Sequence, residues 1–542
     1  MCESLTIDRL AYLKKISQTN NADNRFADYQ GMVIERVEFL RINVFDGEDP
    51  DEDNSLYQFL NKLHYRTRQS ALSPQLKFAE GQHLDPANIA ESERNLRARR
   101  YLSDAYIMPI AHCNNRVHLL VVTKDAWTTQ PIVVVSREGG GNKSRAGLVE
   151  GNFFGTGAEV SVLMTQEPDR SSVAYGFKKD YLWGKPLELG FGFSDNSDGY
   201  ARNLNFGKPF YFNNTKNSFS ARFAQNKARL SVKQDALLLA NYRVDEQNNS
   251  LFGGLRVLER NNYLGRLYAG VTQYSVDYDQ FYGLDNLSPK MNSEITYPWL
   301  AVEGQSTQFI ILRNINAIEA VEDLRVGNYW WASLGYSPST HNSSADSKSA
   351  AWIFNGRLEN RMVNKHRVVN LKASLKGVDY LDEPLETFYS GILSADYLRL
   401  LGERNRLYAS AFYQSVNANA LHDALYLGGA QGVRGYPAYY VIGDEAVGVS
   451  LEYRYHSPWY FLNIIRLGFA AYFDSAVLEN GQYPLYNNGY SRDVLSNVGV
   501  GLRLTSTKTQ VGNMLHLDFA VPTGYRVNAP DYQFLIRAEQ HF

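Results

Sequence analysis

Few residues in this sequence have the types and spacing that binding or catalysis requires, and the most distinctive is a single arginine. The stretch LGGAQGVRGYPAYYVIGDEAVGVSLEYRY, residues 427–455, begins as a glycine-rich loop, presents one cation at Arg434 and ends in a strand. A guanidinium can donate paired hydrogen bonds to a carboxylate, and such charge-assisted bonds are stronger than neutral ones. The stretch therefore raises the question of which acidic group the loop arginine binds.

Other candidate motifs do not support catalysis. The segment EGGGNKS (138–144) has asparagine rather than glycine before its lysine, so a tight turn is a better interpretation than a phosphate-binding loop. The acidic run DGEDPDEDN (46–54) has Leu60 at the twelfth position from Asp49, where a calcium loop requires glutamate, which favours a solvated loop. No HExxH, no Cys/His cluster and no GxSxG motif occurs. The sequence therefore predicts no enzyme activity, no metal site and no cofactor.

Composition favours a β protein that does not bind nucleic acid. The chain has 542 residues, a formal net charge of -2 and no basic stripe, so we expect no nucleic-acid partner. Its 37 tyrosines, 27 phenylalanines and 41 glycines favour strands and turns. Two cysteines, Cys2 and Cys113, are too few for a disulfide framework. No apolar run is long enough for a transmembrane helix, whereas a transmembrane barrel needs only about 9–11 alternating residues per strand.

The chain changes organisation near residue 125. Before that point, SLYQFLNKLHYRT predicts a helix, because its apolar residues recur at i, i+3, i+4 and i+7. These residues are Leu56, Phe59, Leu60 and Leu63. A second helix is predicted in DPANIAESERNLRARRYL, with Asp85 as its cap and Pro86 at its first position. With strand-like runs before and after the helices, the order β-α-α-β-β over residues 32–125 predicts a small mixed domain, preceded by a polar tail or linker at 1–31.

From residue 131 onward the apolar period is two, as in β-strands. In AVGVSLEYRY, Glu452 and Arg454 share one face; in IRLGFAAYFDS, Asp474 shares a face with Arg466 and Gly468. A soluble sandwich also alternates, so the pattern alone does not decide which face is inside. The small residues on the polar face and the aromatic residues at strand ends favour a barrel in lipid over a soluble β protein.

The glycine-rich stretch resembles a motif of a known protein family. GGAQGVRGYP, followed by GD and a strand carrying EYRY, resembles the loop-six signature of the POTRA-plus-barrel outer-membrane superfamily. This is the bacterial surface antigen or BamA/TamA type, which includes outer-membrane protein insertases and two-partner secretion transporters. The matching residues are Gly428, Gly429, Val433, Arg434, Gly435, Tyr436, Gly443, Asp444 and Glu452.

A second element resembles the family's inner-wall motif, aromatic-x-Asp-x-Gly. Here it reads YFDSA, with Tyr472 and Asp474 matching and Ala476 in place of the usual glycine. The resemblance implies that Arg434 binds Asp474 and anchors the loop inside the pore, beside the lumen strand that carries Glu452 and Arg454. Glycines would let the loop backbone pass through a crowded lumen.

Two further segments resemble the ends of the family's barrel. VEGNFFGTGAEVSV (149–162) resembles its start, and DYQFLIRAEQHF resembles the terminal signal by which barrels are recognised for insertion. The matching residues at the start are Asn152, Phe154, Gly155 and Gly157. The matching residues at the end are Tyr532, Phe534, Ile536 and Phe542, while Gln540 departs from the expected apolar residue.

The resemblance implies a mostly β fold, with a transmembrane antiparallel β-barrel of 16 strands preceded by one POTRA domain. The expected divisions are a tail at 1–31, the POTRA domain at 32–125 and the barrel at 131–542, with loop six at 417–443. The segments between 200 and 400 offer more candidate strands than a sixteen-stranded closure would hold, so some are expected to be loops or hairpins outside the wall.

The resemblance also implies location and partners. The chain is expected in the bacterial outer membrane, with its POTRA domain in the periplasm, although no signal peptide is visible in this sequence. The expected partners are the lipid bilayer, unfolded client proteins that add a strand to the POTRA sheet edge, and accessory periplasmic proteins. The seam between the first and last barrel strands, roughly 131–138 and 531–542, would be the lateral gate.

Three functions remain open at this point. The first is assistance in inserting proteins into the outer membrane. The second is a two-partner secretion pore for a dedicated exported protein, which normally has two POTRA domains and a plug helix. The third is a non-translocating lipid-transport or structural barrel.

Overall fold

The structure is a computed structural model, which describes most of the chain. The described residues are 3–4, 25–47, 50, 54–138, 141–167, 170–234, 237–283, 293–313, 315, 318, 321–342, 347–381, 387–417, 425–429, 432–438, 440–462, 464–479, 494–508, 514–524 and 529–539.

The N-terminal unit is a four-stranded sheet with helices on it. Its elements are β1 (Glu3–Ser4), β2 (Val33–Ile42), α1 (Ser55–Leu63), α2 (Gln69–Leu72), α3 (Pro86–Arg97), β3 (Leu102–Cys113) and β4 (Arg116–Asp125). The sheet order is β1-β3-β4-β2, with β2 and β4 parallel and the other pairs antiparallel. Cys113 is disulfide-bonded, which the cysteine count alone did not predict.

The predicted second helix is confirmed, together with its cap. The Asp85 side chain accepts a hydrogen bond from the backbone N–H of Ala87 at 3.0 Å, and Ile89 and Leu96 are fully buried in the core of the unit. Phe26 is also fully buried in that core. Packing of the unit therefore begins before residue 32, where the sequence predicted the end of a tail.

The rest of the chain is a series of strands. Their bounds are β5 (Thr129–Glu138), β6 (Gly141–Glu150), β7 (Ala158–Gln166), β8 (Ser171–Lys179), β9 (Glu188–Asn196), β10 (Gly199–Lys208), β11 (Asn217–Gln234), β12 (Leu237–Arg260), β13 (Tyr263–Gly283), β14 (Ser293–Ser306), β15 (Gln308–Arg313), β16 (Val321–Asn342), β17 (Ser347–Asn364), β18 (Arg367–Tyr380), β19 (Phe388–Leu401), β20 (Asn405–Asn417), β21 (Leu425–Leu427), β22 (Val441–Gly443), β23 (Glu445–Phe461), β24 (Ile465–Glu479), β25 (Val494–Ser506), β26 (Met514–Pro522) and β27 (Gln533–Glu539).

All of these strands except the β21–β22 hairpin pair antiparallel in one sheet. The pairing order closes into a barrel, and β27 meets β5 through one described pair, Phe534 opposite Arg137. Strands β14 and β15 occupy one position, because Gln305 lies opposite Tyr329 and Gln308 opposite Val326 on β16, which is one unbroken register.

The expectation of 16 strands is wrong for the described residues, which hold twenty strand positions. Nine run from β5 to β13, one is shared by β14 and β15, five run from β16 to β20 and five from β23 to β27. The candidate strands between 200 and 400 have partners on both sides, except β15, which pairs with β16 alone among the described residues. They therefore belong to the wall rather than to loops outside it. A strand outside the sheet would leave its backbone N–H and C=O groups unpaired. Pairing of these strands within the sheet therefore gives a barrel with more strands than expected.

The faces of the sheet answer the question that the alternation left open. On β24, Phe469 and Phe473 are exposed on the outside, whereas Tyr472 and Asp474 are buried inside. The same division holds on β23, where Val449 and Leu451 are exposed and Glu452 is buried. The barrel is therefore apolar outside and polar inside, the reverse of a soluble sandwich. Within the described ranges, no helix is long and apolar enough to cross a membrane.

Candidate functional site

The loop between β20 and β23 folds into the barrel. Its described part forms the short β21–β22 hairpin and packs between the walls on two sides. Tyr436 and Tyr440 of the loop are fully buried in one cluster with Tyr242 of β12 and Leu495 of β25. The apolar residues of the loop therefore form a core inside the lumen.

Arg434 of this loop and Asp474 of β24 form a bidentate ion pair. The Arg434 Nε donates to Asp474 Oδ2 at 2.8 Å, and Nη2 donates to Oδ1 at 2.7 Å. Both side chains are almost fully buried. The parallel geometry of the two hydrogen bonds fixes the orientation of the guanidinium as well as its position.

The remaining donor of Arg434 reaches a second carboxylate. Its Nη1 donates to Glu452 Oε2 at 2.7 Å, and Asp518 lies 3.8 Å from the same nitrogen. Glu452 Oε1 accepts from Arg503 Nη2 at 2.8 Å and from Arg454 Nε at 2.5 Å. Arg503 also donates to Asp518 at 2.7 Å, which extends the network across β25 to a fourth strand, β26.

The network is balanced in charge. Three arginines, Arg434, Arg454 and Arg503, face three carboxylates, Glu452, Asp474 and Asp518. A buried charge is costly unless it is paired and hydrogen-bonded. Because every member has partners of opposite charge, the network can remain inside the wall without ionised groups left alone.

Close approach of the loop to the wall depends on small residues. A Cβ on Gly435 would lie 2.6 Å from Asn497 Cβ, and the Gly435 N–H donates to Asn497 Oδ1 at 3.0 Å. The Arg434 guanidinium carbon lies 3.4 Å from the centroid of the Tyr472 ring, a cation–π contact. A Cβ on Gly499 would lie 2.3 Å from that ring, so glycine provides the space in which Tyr472 lies.

Several predicted loop residues lie in this site. Gly428, Gly429 and Val433 are buried, and Tyr436 packs in the lumen cluster while its hydroxyl donates to the Ser496 carbonyl at 3.3 Å. Ala476 packs in the same cluster, so the methyl group that replaces the family's glycine is accommodated among loop side chains.

The predicted terminal signal lies elsewhere. Tyr532 and Phe534 are exposed on the outside of the barrel, Ile536 is half-buried, and Phe542 and Gln540 lie outside the described residues. These residues make no contact with the loop network in the part of the chain that is described.

Sequence reasoning missed Arg503, Asp518 and Asn497. The alternation in NVGVGLRLTS and MLHLDFAVP does place them on the inward face. Only the register between strands, with Asn497 opposite Asp474 and Gly501 opposite Asp518, brings them to one level of the wall. That register depends on pairing between segments distant from the loop, which the spacing of residues within one segment does not reveal.

The start-of-barrel segment connects the wall to the N-terminal unit. Asn152 Nδ2 donates to Thr67 Oγ1 at 2.8 Å, and its Oδ1 accepts from the Gly157 N–H at 2.7 Å. Phe154 and Gly155 form the adjoining turn, and the Gly155 carbonyl accepts a hydrogen bond from the Arg68 N–H at 2.8 Å. The segment therefore holds the two units together.

The last turn of helix α3 and the residues directly after it add ion pairs between the N-terminal unit and the barrel edge. Arg97 donates from Nε and Nη2 to the two carboxylate oxygens of Asp323, both at 2.8 Å, and Arg99 donates to Asp180 at 2.7 Å. Burial opposes the charge on Arg97, but the hydrogen bonds and charge of Asp323 hold its pKa above the ordinary arginine value. Arg94 lies over the Phe309 ring at 4.0 Å.

No family model and no curated protein matches this sequence. Among solved structures, the chain is similar to CdiB from Escherichia coli, with 13% identity over 93% of this chain and 75% of that one and a TM-score of 0.47. It is similar to BamA from Haemophilus ducreyi lacking POTRA domains 1–3, with 13% identity over 94% and 85% and a TM-score of 0.43. It is also similar to CdiB from Acinetobacter baumannii, with 12% identity over 94% and 74% and a TM-score of 0.42. All three are similarities of fold at low sequence identity.

Proposed function

We propose that this chain is an outer-membrane barrel of the POTRA-plus-barrel superfamily, which assists insertion of proteins into the outer membrane or their transport across it. The observation that carries the proposal is the loop arginine Arg434, held by Asp474 on the inner wall of a barrel whose outer face is apolar. The pair holds the inward loop against the inner wall.

The apolar outer face supports location in a membrane. Water makes exposure of many large apolar side chains unfavourable, whereas lipid does not. Large side chains are exposed on the outside of neighbouring strands around the ring. Examples are Leu148, Met164, Phe191, Leu251, Leu300, Leu334, Leu358, Leu393, Leu451, Phe473 and Val500.

The element order of the N-terminal unit supports its assignment as a POTRA domain. From Val33 to Asp125 its elements run β2-α1-α2-α3-β3-β4, which is the expected β-α-α-β-β order with the short helix α2 added, and β3 lies between β4 and the two-residue strand β1. An extended client segment could add to the edge of β3 by main-chain hydrogen bonds, which make few demands on sequence. The segment Glu3–Ser4 pairs there with His112 and Ala111, in the manner expected of an added strand.

The seam between β27 and β5 supports the insertion function. One residue pair is described between these strands, against seven between β26 and β27. At such a seam a client strand can pair with an exposed edge, so that ladder hydrogen bonds are exchanged rather than lost.

Two experiments test the proposal. In detergent, the folded barrel should migrate faster unheated than boiled on a denaturing gel; unchanged migration together with solubility in plain buffer would exclude it. In reconstituted vesicles, an engineered disulfide between Arg137→Cys and Phe534→Cys should lock the seam and stop insertion of an unfolded barrel client. The matched control is a lock at Leu517→Cys with Ile536→Cys, which joins two neighbouring wall strands and should leave insertion intact.

The seam lock also separates the remaining alternatives. A locked seam that still passes a secreted partner through the lumen would favour the two-partner secretion pore. A protein that moves no polypeptide in either state would favour the lipid-transport or structural barrel.

A further inference from the structure

Helix α1 exposes most of its apolar face. The spacing of its apolar residues predicted a helix whose apolar residues share one face. The helix is present, but Leu56, Phe59 and Leu63 are 54%, 57% and 57% exposed. The neighbouring Tyr65 is 60% exposed. We call these four residues the α1 apolar face.

The opposite side of helix α1 attaches the helix to the N-terminal unit. Tyr57 is buried and stacks on Phe45, with ring centroids 4.3 Å apart and planes at 3°. Leu60 packs against the same cluster, together with Trp127. Because this side already provides the core contact, the α1 apolar face is not needed for folding of the N-terminal unit.

The helix lies against the edge of the barrel. The Tyr57 hydroxyl donates to the Leu462 carbonyl at 2.6 Å in the β23–β24 turn. The Tyr65 ring meets the Phe154 ring edge-on at 5.1 Å in the β6–β7 turn. Both turns belong to the barrel edge at which the N-terminal unit joins β5, so the helix is held beneath the strands that flank the seam.

The same edge exposes apolar residues on its own turns. Trp459, Phe461 and Leu462 are 65%, 65% and 60% exposed beside β23, and Phe153 and Phe154 are exposed beside β6. Trp183 is exposed on the β8–β9 turn. Aromatic residues at the ends of membrane strands mark the boundary between lipid and water. Through the Tyr65–Phe154 contact, the α1 apolar face adjoins the exposed apolar residues of this barrel edge.

We propose that helix α1 is an interfacial helix whose apolar face enters the lipid leaflet on the N-terminal side of the barrel, next to the seam. An amphipathic helix in this position lies in the membrane plane with its apolar side chains about 5–10 Å into the headgroup and acyl boundary. Gln58 and Lys62 remain exposed on the other sides of the helix and can reach water. The inference rests on the proposed function, because it requires the barrel to be in a membrane.

Lipid rather than a protein is expected to cover the α1 apolar face, because the face adjoins exposed apolar residues of the barrel edge. The face meets the β6–β7 turn through Tyr65 and Phe154, while the opposite side of the helix meets the β23–β24 turn through Tyr57. The face itself consists of bulky apolar side chains with no charged residue among them. A bilayer covers all of these groups at once, whereas a peptide partner would cover the helix and leave the turns to water.

The test measures lipid contact at single positions of the full chain. Phe59→Cys and Leu63→Cys, each labelled with an environment-sensitive fluorophore, are reconstituted into phosphatidylcholine vesicles with and without doxyl-labelled lipid. Gln58→Cys on the polar side is the matched control, and the unsubstituted chain measures background labelling. Heat-modifiability of each variant is recorded in the same vesicles.

We expect quenching at positions 59 and 63 that is at least severalfold stronger than at position 58, in variants that remain heat-modifiable. Equal, weak quenching at all three positions in a heat-modifiable barrel would overturn the interfacial helix and leave the proposed function standing. A label at position 59 that responds to an added unfolded polypeptide but not to doxyl lipid would overturn it in favour of a protein-binding face. Loss of heat-modifiability in the unsubstituted chain would instead overturn the membrane barrel itself.

Discussion

At the scale of single residues, the loop depends on Arg434, because its guanidinium uses all of its side-chain nitrogens in the network. Nε and Nη2 bind Asp474, and Nη1 binds Glu452. Replacing either Arg434 or Asp474 by alanine leaves buried partners of one sign. We expect each single substitution to lower barrel stability by about 3–5 kcal/mol, and by less where lumen water reaches the vacated position.

The double substitution Arg434→Ala with Asp474→Ala should be no less stable than the worse single variant, because the two residues share one interaction. Urea unfolding followed by the heat-modifiable gel band measures this, together with protease cleavage within 417–443. Arg367→Ala, at an exposed strand end, is the matched control and should have little effect. Full addition of the two single losses would mean that the residues do not interact.

A charge exchange tests the surroundings of the pair. Arg434→Asp combined with Asp474→Arg would place a carboxylate near Glu452 and Asp518, which both face the Arg434 position. Like charges in a buried site repel, so we expect the exchanged protein to remain as unstable as Arg434→Asp alone. Recovery of heat-modifiability to the unsubstituted level would indicate an isolated pair rather than a network.

The sequence allowed the pair to be predicted but not the network. The family's motifs name Arg434 and Asp474 on two segments, and period two places Asp474 inside. Arg503 and Asp518 lie on inward faces in the sequence, yet the contacts of Arg503 with Glu452 and with Asp518 depend on the register of strands β23 to β26. Register is determined by long-range pairing, which leaves no mark within either segment.

At the scale of elements, the loop and the wall fit because Gly435 has no side chain. A Cβ there would meet Asn497 Cβ at 2.6 Å, so Gly435→Ala should push the loop from β25 and cost about 1–3 kcal/mol. The expected readout is faster protease cleavage in 417–443 with the barrel band retained. Gly356→Ala on β17 is the matched control, since its nearest neighbour would be 4.0 Å away. Equal cleavage of both variants would contradict the close contact.

Strand β3 of the N-terminal unit provides a pH-dependent element. Burial raises the pKa of Asp104 to about 6, although the Tyr106 hydroxyl and the charge of Arg97 act in the opposite direction. A folded pKa above the unfolded value stabilises the folded unit at low pH, and this stabilisation is lost as pH rises through about 4 to 6. We expect a loss on the order of 1–3 kcal/mol across that window.

Thermal unfolding of the full chain, followed by protease sensitivity of the N-terminal unit between pH 4 and 7, measures this loss. Asp104→Asn should remove the dependence, since the amide does not titrate. Asp28→Asn, whose residue lies in an exposed turn, is the control. An unchanged pH profile in Asp104→Asn would assign the titration to another group.

Elements were predicted from the sequence to different degrees. The apolar period of two identified the strands after residue 131, and the capping residues Asp85 and Pro86 identified helix α3, because both patterns are local. The number of strands was wrong, since it came from the family rather than from pairing, and the strands between β11 and β17 reach up to 24 residues. The exposure of the α1 apolar face could not be predicted from the local sequence either, because it depends on where the barrel edge lies.

At the scale of the whole molecule, two separate cores are joined by ion pairs and by a small apolar cluster in which Ile464 of the β23–β24 turn packs with Phe45 and Tyr57. The N-terminal unit packs around residues such as Ile34 and Leu119, and the lumen cluster packs around Tyr436 and Tyr440, with no member in common. Between them lie the Arg97–Asp323 and Arg99–Asp180 ion pairs. Contacts of this kind orient two units but do not make the folding of one depend on the other.

Deletion of residues 1–124 should therefore leave a barrel that folds in detergent micelles and remains heat-modifiable. Its stability should fall only modestly, because Asp323 and Asn152 lose partners at the barrel edge, where water can replace them. Client delivery in reconstituted vesicles should be lost, since the edge of β3 is removed with the N-terminal unit. Arg97→Ala in the full chain is the matched comparison: it breaks one contact between the units while leaving both cores intact, and it should reduce delivery less than the deletion does. A truncated chain that never yields the fast-migrating band would show that the barrel needs the N-terminal unit to fold, so that the two cores are one cooperative unit.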